Sequence, residues 1–75
     1  MKSAAIRQLC ISNNYFTCGS NEQYNKMFEM VDNNAEPHDI ALVIWICSED
    51  ADLVAIEDSV ADIMRDNWLG FPKNP

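Results

Sequence analysis

A chain of 75 residues is long enough for one domain, and a domain of that size buries only about 60% of the surface its unfolded form exposes. With 48% hydrophobic residues, three Phe, two Trp and two Tyr, it is too apolar to remain disordered despite a formal net charge of -7. Its longest apolar run, residues 40–47, is far below the roughly 20 residues a membrane-spanning helix needs, which excludes a span of that kind.

In chain order, Ser3 is placed to cap a first helix whose apolar positions Ile6, Leu9 and Cys10 recur at helical spacing. Asn13 and Asn14 end it. Tyr15, Phe16, Thr17, Cys18 and Gly19 then read as a connection whose aromatics fold back on the core, closed by Gly19. Ser20 with Gln23 forms a capping-box pattern, and Tyr24, Met27, Phe28 and Val31 follow the i, i+3, i+4, i+7 rule of a second helix. Glu22 and Lys26 are spaced as a favourable i, i+4 pair, and Asn33 and Asn34 mark the stop.

The third element starts at Glu36 and Pro37, where proline suits the first helical position and the acids Glu36 and Asp39 suit the positive end of a helix. Its body, residues 40–47, is apolar on every side and rich in β-branched residues, so periodicity alone does not separate a buried helix from a buried strand. The start signals select the helix, and an all-round apolar helix, Trp45 included, belongs at the centre of the domain. Asp50 or Asp52 caps a fourth helix running to about Asn67, with Leu53, Ile56, Val60, Ile63 and Met64 in one arc and Asp58, Asp62 and Asp66 opposite. The expected fold is all-α: a compact bundle of about four short helices around a central apolar helix. Residues 1–69 form the domain and 70–75 a short tail containing Gly and Pro.

Charge is distributed unevenly. Between Lys26 and Arg65 there is no Lys or Arg, yet the interval holds Glu29, Asp32, Glu36, Asp39, Glu49, Asp50, Asp52, Glu57, Asp58 and Asp62. Like charges at i, i+4 cost a helix about 0.2–0.5 kcal/mol each, so Asp58, Asp62 and Asp66 are not there for helix stability, although Arg65 on the same side relieves part of the repulsion. Such acids either solubilise a small domain or form a stripe that imitates nucleic-acid phosphates and occupies a basic groove on a protein partner. Direct nucleic-acid binding is disfavoured by the same field, as is a helix-turn-helix over residues 41–56, whose recognition helix would offer Glu57, Asp58 and Asp62.

No motif carries catalysis. Cys10, Cys18, His38 and Cys47 are the residue types of a Cys₃His zinc site, but none of the close ligand pairs typical of structural zinc is present, so reduced and mostly buried thiols are expected, and no metal. A thiol nucleophile built from His38, Asp39 and Cys47 fails because the first and last are more than two helical turns apart. Glu49, Asp50 and Asp52 resemble the opening of a calcium loop, but Ala55 and Ala61 stand where glycine and the bidentate Glu are required. With Gly19 and Gly70 as the only glycines, there is no phosphate-cradling loop. The expectation is a non-enzyme without cofactors, in the cytoplasm, monomeric or a small homodimer. Trp68, Leu69 and Phe71 read as a tail packed over the bundle; exposed, Trp68 and Phe71 would instead be partner-binding anchors.

The strings Tyr15-Phe16-Thr17-Cys18-Gly19-Ser20-Asn21-Glu22-Gln23-Tyr24 and Ile44-Trp45-Ile46-Cys47-Ser48 resemble those of small uncharacterised acidic proteins carried by phages and mobile elements of Gram-positive bacteria, over roughly residues 10–65. The resemblance brings no catalytic residues. It implies an inhibitor of host defence, of the anti-CRISPR or DNA-mimic type. Joined to the base-free interval, it makes Asp50, Asp52, Glu57, Asp58, Asp62 and Asp66 the expected contacts to a basic, nucleic-acid-binding host protein. The alternative is a non-catalytic assembly or regulatory subunit that binds through an apolar surface.

Overall fold

A computed structural model describes residues 2–65. They form four helices: α1 (Lys2–Ser12), α2 (Asn21–Asp32), α3 (Pro37–Ile46) and α4 (Leu53–Met64). No strand occurs among the described residues. The all-α expectation therefore holds, and residues 40–47 do not form a strand.

Each helix begins and ends for reasons visible in its sequence. Ser20 caps α2 through a full capping box: its hydroxyl accepts from the Gln23 backbone N–H at 3.2 Å, and the Gln23 side chain accepts from the Ser20 N–H at 2.9 Å. The first two helices close in the same way. Tyr15 N–H donates to Cys10 O and Asn14 N–H to Ile11 O, and the pair is repeated by Ala35 N–H to Met30 O and Asn34 N–H to Val31 O. Asn14 and Asn34 sit at φ 60° and 58°, the left-handed position that this closure needs and that Asn tolerates. Pro37 opens α3, and the Asp52 carboxylate accepts from Val54 N–H at 3.1 Å to cap α4.

Three details differ from the expected pattern. α1 starts at Lys2, so Ser3 lies inside its first turn and not at the cap. Lys26 pairs with Glu29 at 3.9 Å instead of with Glu22. α4 ends at Met64 with Arg65 as its C-cap, short of Asn67, which lies outside the described residues, as do Asp66 and the tail.

α3 packs most extensively on α4 and also on α2, while α1 closes the circuit against α2 and α4. The core between them is Ile6, Cys10, Met27, Val31, Ile40, Ala41, Ile44, Ile56, Val60 and Ile63, all buried. No polar or charged side chain is buried among the described residues. Around this core Phe16, Tyr24 and Phe28 form an edge-to-face aromatic row with ring centroids 4.9 and 4.8 Å apart, and the Arg7 guanidinium lies 5.0 Å from the Phe28 ring centre.

Candidate partner-binding surface

The turn from α3 to α4 is held by the segment between α1 and α2. Phe16 adopts φ 62°, a strained conformation for an aromatic residue, and its N–H donates to the Ser48 hydroxyl at 2.7 Å. Ser48 in turn donates to the Ile44 carbonyl, Glu49 N–H reaches the Thr17 hydroxyl at 3.3 Å, and Cys18 N–H donates to the Cys47 carbonyl at 2.9 Å. These bonds fix residues 48–52, where Asp50 turns through φ 52° and Trp45 Nε1 donates to the Ala51 carbonyl at 3.0 Å.

The turn delivers the expected acids unequally. Asp50 and Asp58 are exposed and make no ion pair among the described residues. Asp52 is exposed, but one oxygen is engaged as the α4 cap. Half-buried Glu57 is turned toward α3, with Oε1 3.1 Å from His38 Nδ1. Asp62 accepts from Arg65 at 2.7 Å, the relief that the sequence spacing implied. At about 100° per residue, Val54, Asp58, Asp62 and Arg65 share the outer face of α4, whereas Glu57 lies on its flank. Of the expected acids within the described residues, Asp50 and Asp58 are the two whose carboxylates have no ion-pair or hydrogen-bond partner, so the surface is a carboxylate edge and not an unbroken stripe.

The sequence reading missed the apolar residues beside these acids. Trp45 is 41% exposed and so is not a core residue, and Ile46 and Val54 are 62% and 66% exposed. The reason is geometric: α3 is apolar all round, but α2 and α4 cover only the side carrying Ile40, Ala41 and Ile44. Trp45 and Ile46, with Ser48, Asp50 and Ala51, line a shallow depression next to the turn. A second open groove, about 580 Å³, lies between α2 and α3, lined by Glu22, Lys26 and Glu29 of α2 and by Val43, Ile46 and Cys47. The one available signal was the length of the apolar run, longer than a single buried stripe requires.

The thiols divide by place. Cys10 and Cys47 are buried and Cys18 is exposed, so the expectation of buried thiols holds for two of three. Burial pushes the Cys10 thiol up to about 11, and burial followed by the neighbouring Cys18 raises Cys47. His38, in the first turn of α3, is separated from Cys47 at its C-cap by about 13 Å of helical rise, which rules out their acting together on one atom. No group of three metal-ligating side chains occurs among the described residues. No helix among them is long and apolar enough to cross a membrane.

Comparison with family models, curated proteins and solved structures finds no match to this chain.

Proposed function

We propose that this chain is a non-catalytic protein-binding domain whose α3–α4 turn and outer α4 face dock on a basic, nucleic-acid-binding host protein. The observation that carries the reading is the pair of exposed, unpaired carboxylates Asp50 and Asp58, within an interval that has ten acids and no Lys or Arg. Asp62 and Asp52 extend that edge with oxygens only partly engaged, and Glu57 contributes from the flank. A charged edge of this kind accelerates encounter with a cationic groove and competes there with phosphates. The role within this proposal, inhibition of host defence of the anti-CRISPR or DNA-mimic type in the host cytoplasm, is the one implied by the resemblance read in residues 15–24 and 44–48.

Exposed Trp45 and Ile46 support a second reading, an assembly or regulatory subunit that binds through an apolar face; Trp68 and Phe71, the anchors expected for that reading from the sequence, lie outside the described residues. Capture of partners from host lysate on the immobilised chain, followed by elution, separates the two. Under the first reading the captured protein binds duplex DNA or RNA and is released by either. Release only by mild detergent, with nucleic acid and salt ineffective, would establish the second and overturn the first.

A further inference from the structure

We propose that Cys18 and Cys47 close a reversible intramolecular disulfide, making the junction between the α1–α2 segment and the end of α3 a redox-modification site. The two residues already share a backbone hydrogen bond, Cys18 N–H to Cys47 O at 2.9 Å. Summing the covalent bonds on either side keeps their Cα atoms within about 7 Å, the outer limit for bridging two cysteines without moving the backbone. The main chain passes directly over the Cys47 side chain: a Cβ added at Gly19 would come within 2.8 Å of both Cβ and Sγ of Cys47. Only glycine permits that approach, so residue 19 keeps the segment carrying Cys18 against its partner. The thiols are also complementary in access, Cys18 being exposed and Cys47 3% exposed. One meets an external oxidant and the other is reached only from within.

The oxidant is a low-molecular-weight disulfide such as oxidised glutathione. The Cys18 thiolate attacks one of its sulfurs, the glutathione S–S bond breaks, and one glutathione thiolate leaves and takes up a proton. Cys47 then loses its proton to water and attacks the Cys18 sulfur of the mixed disulfide, expelling the second glutathione thiolate, which is protonated in turn. Two cysteines are oxidised by two electrons and one glutathione disulfide is reduced to two thiols. The bridge would pin the segment around Phe16 and Thr17 to the turn that presents Trp45, Ile46 and Asp50.

The native chain is incubated with oxidised glutathione without denaturant, alkylated, and read by intact mass and peptide mapping. The expected result is a loss of about 2 Da in a portion measured before alkylation, a crosslinked peptide joining Cys18 to Cys47, Cys10 recovered as the alkylated free thiol, and full reversal by dithiothreitol. Cys18→Ser should abolish the loss, leaving Cys47 and Cys10 reduced; this exposed substitution leaves the core intact. Accumulation of the glutathione adduct at Cys18 as the end product, with its gain of about 305 Da, would overturn the proposal. So would a Cys18 crosslink between two chains, a bridge to Cys10, or pairing that appears only in denaturant.

Discussion

Gly19 and Cys10 show how single residues constrain this domain. A methyl group at residue 19 would lie 2.6 Å from the Phe16 ring and 2.8 Å from Cys47, so Gly19→Ala should destabilise the fold by about 1–3 kcal/mol, read as a lower urea midpoint with an unchanged slope. An unchanged midpoint would mean that the segment yields freely. Cys10 makes stability depend on pH. Its folded-state thiol is raised to about 11, above the value it has in the unfolded chain, so its contribution is complete below the unfolded value and is lost as pH rises toward 11. The loss is about 2–3 kcal/mol from this thiol, with Cys47 adding in the same direction. Urea unfolding near pH 8 and near pH 11, on the wild type and on Cys10→Val, isolates the effect. The wild type should lose more stability than the variant; equal losses would contradict the assignment. The burial of Cys10 was legible from helical spacing with Ile6, but the meeting of Gly19 with Cys47 was not, because a contact between distant segments leaves no local pattern.

Helix boundaries were the most legible feature, because caps are local chemistry. Ser20 with Gln23, Pro37 and the paired asparagines all act where their spacing places them. Ser20→Ala should cost about 1 kcal/mol of unfolding free energy. At residue 34, held at φ 58°, Asn34→Ala should cost about 1 kcal/mol and Asn34→Gly little or nothing, since alanine pays the left-handed penalty and glycine does not. Equal destabilisation by both variants would show that the Asn side chain, not its backbone freedom, matters. α3 shows where legibility ends. An all-round apolar sequence carries no record of which face is covered, and in a four-helix domain this short only the Ile40, Ala41 and Ile44 side is. The exposure of Trp45 and Ile46 is therefore a property of assembly, not of the helix.

For the molecule as a whole, the charge imbalance was plain in the sequence, but its local compensation was legible only in part. Arg65 meets Asp62 within one helix and was foreseeable from spacing, whereas the side-chain contact of His38 with Glu57 joins two helices and left no local pattern. Arg7 covers aromatic rings and Lys26 meets Glu29, so these bases do little to offset the field of the turn and α4. The exposed pairs contribute only about 0–1 kcal/mol each to folding, which leaves the carboxylates available to a partner. The central claim is that Asp50 and Asp58 dock on a basic partner. Its most direct test is the affinity of the captured partner for wild type and for Asp50→Lys/Asp58→Lys, titrated from about 0.05 to 0.2 M salt, with circular dichroism as a check that both fold. The double reversal should weaken binding at least about tenfold and flatten the salt dependence, because two screened attractions become repulsions. Affinity unchanged by the reversal and insensitive to salt, but lost on Trp45→Ala, would contradict the account and move the interface to the apolar face of α3.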